Sequence, residues 1–181
     1  MHMNSKILKR LVALLLVLLV TGSALWAQGE KANRASPPAT ATGKIGEATV
    51  TINYSSPAVK GRKVWGELVP YGQAWRAGAN EATVLETDKA ITVEGKTLPA
   101  GKYSLFAVPG ETEWQIILNS QTGQWGVKRG GEANRDAAND VLTVAVKPVA
   151  AASMNERLLY EVTPTGIVLK WENLEVPIAI K

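Results

Sequence analysis

Residues 113–119 read EWQIILN. Trp114, Ile116 and Leu118 fall on one side of an extended chain and Gln115 and Asn119 on the other, the period-two pattern of a strand that packs one face on a core. The end of the chain repeats it, with Leu174, Val176, Ile178 and Ile180 set against Glu175, Pro177 and Lys181. Working outward, runs of strand length and β-forming composition recur at 48–54, 82–86, 90–94, 102–108, 140–147, 157–163 and 167–171. Gly95, Pro99 with Gly101, Pro109 with Gly110, and Pro164 with Gly166 can reverse the chain between them. About nine strands and no amphipathic helix of any length predict an all-β fold. The expected form is an antiparallel β-sandwich, with jelly-roll-like or barrel-like closure as the alternative. Pro177, which cannot donate to a ladder, marks the last strand as an edge.

Composition narrows the chemistry. The 181 residues contain no cysteine, which excludes disulfides, thiolate metal sites and cysteine nucleophiles. The single histidine is His2, so a catalytic triad or a histidine-ligated metal has no material in the body of the chain. No metal site and no cofactor is expected.

The N-terminus has the three-part layout of a secretory leader. Lys6, Lys9 and Arg10 supply the positive start, residues 11–20 are an unbroken apolar run, and small residues follow up to Ala27. The run is shorter than the roughly 18 to 20 residues that span a bilayer. Residues 1–27 therefore read as a signal peptide cut after Ala27, or after Ala24 as second choice, and the protein as exported, periplasmic or extracellular. Residues 28–38, with Pro37 and Pro38, read as a flexible tether, and 39–181 as a single β-sandwich domain. Taking the leader's three basic residues from 20 leaves 17 against 16 acids, a net charge of +1. The pI of 9.3 is thus no argument for a nucleic-acid partner, and the membrane is met only through the leader.

Two regions break the strand pattern. The loop 55–81 gathers Arg62, Trp65, Tyr71, Trp75, Arg76, Asn80 and Glu81; the stretch 121–139 is rich in Gly, Asn and Ala around Trp125. Long loops on a rigid sheet often carry function. Trp65, Tyr71 and Trp75 suit a platform for a sugar or planar ligand with Arg76, Asn80 and Glu81 at its polar rim. The other reading is that Trp65 and Trp75 plug the open end of the sandwich, where a long loop needs anchoring. Arg76 and Glu81 suit a structural ion pair or a ligand clamp, and Arg62 and Lys63 an anion contact or a solvated turn.

The run YSSPAVKGRKVWGELVPYGQAWRAGANEAT, with LPAGKYSLFAVPG, EWQIILN, QWG and DVLTVAVKP after it, resembles the bacterial family catalogued as domain of unknown function 2911 over roughly residues 39–181. The resemblance implies a secreted or envelope β-rich protein and supplies no catalytic residue. One departure stands out: where the family passes from QWG to the next strand through a short tyrosine-containing segment, this chain has the longer 127–139.

The residues therefore point to a non-enzymatic envelope module that binds a small molecule, a glycan or an envelope protein through loop 55–81. Two other classes remain open. A carboxylate-dependent, glycoside-type hydrolase would need two acids roughly 5 to 9.5 Å apart, with Glu67, Glu81, Glu86 and Asp88 nearest the dense loop. A structural assembly subunit would use an exposed sheet edge.

Overall fold

A hairpin that the sequence pattern does not announce begins the fold. Strand β1 (Pro38–Ile45) pairs antiparallel with β2 (Ala48–Ser55) through a tight turn in which Gly46 takes φ +56°. Strand β1 escapes the period-two signal because its sequence, PATATGKI, carries one large apolar side chain, Ile45. Gly43 is small for a reason: a Cβ there would lie 2.9 Å from Cγ1 of Val162 on the opposing layer.

The computed structural model describes residues 33–181; the expected leader, 1–27, and residues 28–32 lie outside the described residues. After β2 the chain leaves the sheet through loop A (56–82) and returns as β3 (Thr83–Thr87) beside β2. A small hairpin follows, β4 (Ile91–Val93) and β5 (Lys96–Leu98), turning on Glu94 and Gly95, both at positive φ. Then β6 (Gly101–Val108), β7 (Trp114–Asn119) and, after loop B (120–139), β8 (Asp140–Val146) complete a six-stranded antiparallel sheet in the order β1-β2-β3-β6-β7-β8. Loop B ends in a single 3-10 turn, Ala137–Asn139.

The second layer is a long hairpin, β9 (Val149–Thr163) with β10 (Gly166–Ala179), extended where Thr92 and Glu94 bond the backbone of Lys181 and Ala179. Leu158, Tyr160, Leu169, Trp171, Val176 and Ile178 of this hairpin share one buried cluster with Val50, Ile52, Leu85, Leu105, Trp114 and Ile116 of the large sheet. Over the described residues the fold is thus all-β, antiparallel and layered, with ten strands, and its sheets are not closed into a barrel.

Three departures from the expected strands have physical causes. The expected strands 167–171 and 174–180 are one strand, β10, bent at Glu172, which takes φ +53°. Strand β9 starts at Val149, where its mostly exposed first half is held by pairing with β10 and not by a core. The alternation in β7 fails at Ile117, which is buried although it points away from Trp114 and Leu118. It packs with Ala82 and Phe106 in a small second cluster on the sheet's outer face, beneath Ala133 of loop B. Loop B therefore covers the sheet face next to loop A.

Candidate functional site

Loop A is fastened at its entrance by backbone pairing. The Val59 N–H donates to Glu156 O (2.7 Å), Leu158 N–H to Pro57 O (2.9 Å), and the Ser56 hydroxyl to Leu158 O (2.7 Å). The chain then turns at Lys60 and Gly61, both at positive φ. The Arg62 guanidinium donates to the carbonyls of Val59 (2.9 Å) and Ala58 (2.6 Å), so this exposed arginine spends donors on holding the turn.

The loop's tryptophans go inward. Trp65 is edge-on to Trp114, Trp171 and Trp75 at centroid distances of 4.8, 5.6 and 5.8 Å, and Trp75 stacks on Trp171 at 5.8 Å. Trp75 also exchanges two backbone hydrogen bonds with Ala107 of β6 (2.7 and 2.9 Å) and donates its indole N–H to Gly78 O (3.2 Å). The indole N–H groups of Trp65, Trp114 and Trp171 are buried without a conventional acceptor among the described residues. In an edge-to-face cluster the electron-rich ring faces are the surrounding that such edges meet. The two loop tryptophans form a plug in the core, and the platform reading loses its main surface; Tyr71, 40% exposed, stays outside. Its ring lies against Gly66, where a Cβ would sit 3.0 Å from Cε2.

Immediately after the plug the backbone is strained. Ala77 is buried at φ +51° and Asn80 sits at φ +57°, an arrangement that for a residue with a Cβ costs of order 1 kcal/mol or more. Hydrogen bonds hold it: Ala77 O accepts from the Tyr160 hydroxyl (2.8 Å) and the Thr83 hydroxyl (3.0 Å). Burial raises the Tyr160 phenol well above its ordinary pKa, with a smaller push from Tyr54, so it stays a donor. Gly78 is required here, because a Cβ would lie 2.7 Å from the Thr83 hydroxyl.

This bend directs Arg76 away from the plug into a notch between the two loops. The notch, of about 110 Å³, is walled by Leu68, Val69, Pro70, Trp75 and Arg76 of loop A and by Val127, Glu132 and Ala133 of loop B. The Arg76 stem lies over Gly126, where a Cβ would collide with its Cδ. Gly126 N–H donates to Asn80 O (2.9 Å) and its carbonyl accepts from Asn134 N–H (2.9 Å). Arg76 is half-buried, its Nε has no acceptor, and among the described residues no hydrogen bond or ion pair engages its guanidinium. Burial alone lowers its pKa, with no compensating carboxylate.

The residues singled out in the sequence therefore divide. Trp75 and Arg76 line the notch; Trp65 lies in the core, Tyr71 is exposed outside the notch wall, and Arg62 locks a turn. Asn80 stands behind the notch, its amide donating to Ser36 O (2.9 Å). Glu81 pairs with Arg34, whose Nη1 reaches both carboxylate oxygens at 3.0 Å, and not with Arg76. Arg34 also lies over the exposed ring of Trp125, 5.9 Å from its centroid. Residues 34–37 are thus fastened to both loops, although the composition of 28–38 reads as a free tether. Arg34 and the loop B wall were missed in the sequence, since only chain folding brings them to the dense loop.

Loop B is anchored by polar bonds. The fully buried Asn119 amide donates to Asp136 O and to Asp140 Oδ1 (both 2.8 Å), and Arg135 forms an ion pair with Asp140. Burial pushes the Asp140 carboxyl up, but hydrogen bonds from Arg135 and Asn119 and the Arg135 charge outweigh it and hold it below its ordinary value. Among the described residues no group of three or more His, Cys, Asp or Glu side chains is placed to hold a metal ion. Of the acids near the dense loop, Glu67 pairs with Lys63 (3.2 Å), Glu86 with Lys102 (3.1 Å), and exposed Asp88 accepts from Thr49 N–H (2.7 Å).

A family model described as Protein of unknown function (DUF2911) matches residues 36–180, most of the chain. No curated protein and no solved structure matches it.

Proposed function

We propose a role for this chain, which belongs to the DUF2911 family of proteins of unknown function: it is an exported, non-enzymatic module that binds a small anionic ligand in the notch between loops A and B. The observation that carries this reading is the unpartnered, half-buried guanidinium of Arg76. Removing a charge from water without a partner is costly, and a planar fork of donors is suited to a carboxylate or phosphate. The strained bend at Ala77 and the glycine at 126 hold that fork in place, and the apolar walls from Leu68 to Pro70 give a ligand a surface beside it. Export follows from the leader-like residues 1–27. The hydrolase alternative has little support, because Glu67, Glu81, Glu86 and Asp88 each have a partner elsewhere.

The test is a thermal-shift screen of small carboxylates, phosphates and neutral sugars on the purified protein. Anions are expected to raise Tm by mass action, by an amount equivalent to about 2.7 kcal/mol at a hundredfold excess over Kd. Added salt should weaken the effect, and Arg76→Gln should remove it. A response to neutral sugars alone, or one that survives Arg76→Gln, overturns the reading.

A further inference from the structure

The notch does not end at Glu132. A second, more open cleft of about 420 Å³ continues from it and takes in Lys128 and Arg135. Gln73, Ala74, Glu132 and Ala133 wall both clefts, whereas Arg76 belongs only to the inner one and Lys128 only to the outer one. The charges therefore follow one another along a single groove as positive, negative, positive. Arg135 is committed to Asp140, but no bond engages the Lys128 ammonium or the Glu132 carboxylate among the described residues, and both side chains are exposed. Backbone pairing holds the two opposite each other: Lys128 N–H donates to Glu132 O (2.8 Å), and Val127 bridges to Ala133, which closes the loop tip into a small hairpin beside the groove.

We infer that this groove selects an acidic amino acid: one carboxylate on Arg76, the ammonium on Glu132 and the second carboxylate on Lys128. The inference rests on the reading of Arg76 as an anion site and adds the ligand class to it. A plain dicarboxylate would meet Glu132 with repulsion. A monocarboxylic amino acid would leave Lys128 unused. The inner notch has room for a single head group, and the remainder of the ligand lies along Gln73 and Ala74 in the open cleft.

Because Glu132 and Lys128 stand in water, each contributes selectivity of about fivefold at most, the scale of an exposed ion pair. The experiment is calorimetric titration of the full protein with L-glutamate, glutarate, L-norvaline and propionate. On the unaltered protein L-glutamate is expected to bind about fivefold tighter than either glutarate, which lacks the ammonium, or norvaline, which lacks the second carboxylate. Glu132→Gln should abolish the preference for glutamate over glutarate. Lys128→Gln should reduce glutamate to the level of norvaline and leave norvaline unchanged. Neither exposed substitution removes a core contact, so circular dichroism should show the same fold. Glutarate binding as tightly as glutamate to the unaltered protein, or a preference that persists in Glu132→Gln, overturns the ligand class. If all four acids bind alike and Arg76→Gln removes them all, only the class fails. If none binds, the ligand class fails, and the anion site fails with it when phosphates also leave Tm unchanged; if binding survives Arg76→Gln, the anion site itself fails.

Discussion

Loops A and B face each other across the notch, yet they are held by different physics. Loop A is fastened by apolar burial: Trp65 and Trp75 join Trp114 and Trp171 in the main core, and each buried aromatic stabilises by roughly 1.5 to 3 kcal/mol. Loop B has only Ala133 over the small outer cluster and is held mainly by polar bonds, Asn119 with Asp140 and Arg135 at its base and Gly126 with Asn80 of loop A, while its tip carries Lys128, Arg129, Gly130 and Gly131 in the open. One wall of the notch is therefore part of the core, and the other is a cover pinned at its root. The difference teaches where to expect loss of fold and where loss of shape.

The sharpest way to break the contrast is Trp65→Ala. It should cost about 3 to 5 kcal/mol, visible as a lower denaturation midpoint; a cost below about 1 kcal/mol would mean that loop A is no better rooted than loop B. Gly126→Ala is the next strongest change. Its new Cβ would meet the Arg76 stem and push the walls apart, an overpacking cost of about 1 to 3 kcal/mol, with hydrogen exchange faster in both loops.

Asp140→Asn acts on loop B alone. It should cost about 1 to 2 kcal/mol, and proteolysis should then begin within 120–139 with the core intact. Protonation should do the same. Because the folded Asp140 carboxyl is held below its unfolded value, near 3.9, its contribution is present above about pH 4 and is lost as pH falls through the lower folded value. Protection of loop B should be flat from pH 5 to 8 and fall in acid, and Asp140→Asn should remove that acid step.

The smallest effect on stability belongs to Arg76→Met. Methionine keeps an apolar stem over Gly126 and removes an unpaired charge, so stability should stay unchanged or rise by less than about 1 kcal/mol. A large loss measured by denaturation would mean that Arg76 is a structural pin after all.

How much of this the sequence carried depended on whether the signal was local. EWQIILN and the alternating end of β10 declare their faces because large apolar residues recur every second position. PATATGKI has mostly small and polar residues to alternate, so β1 becomes visible only when β2 supplies its ladder. Ile117 reads as a break in the pattern until loop B is seen to cover it. Loop A declared itself by its density of tryptophan and arginine, and the choice between plug and platform needed the neighbours Trp114 and Trp171. Arg34 and Glu81 stand 47 positions apart, and no short-range pattern links them. The loop B wall was equally silent, since Gly, Asn and Ala announce a loop and not what it leans on.

Among the described residues, the tryptophans give two separate optical signals. Trp65, Trp75, Trp114 and Trp171 lie ring against ring in the dry interior, close enough for their excited states to couple, and the stacked pair Trp75 and Trp171 has an interplanar angle of 16°. Trp125 stands apart on loop B, 49% exposed and beside Arg34. A water-soluble quencher should dim Trp125 first and leave the blue-shifted interior emission in place. Movement of the cover and melting of the core can thus be followed separately in one cuvette, without a label.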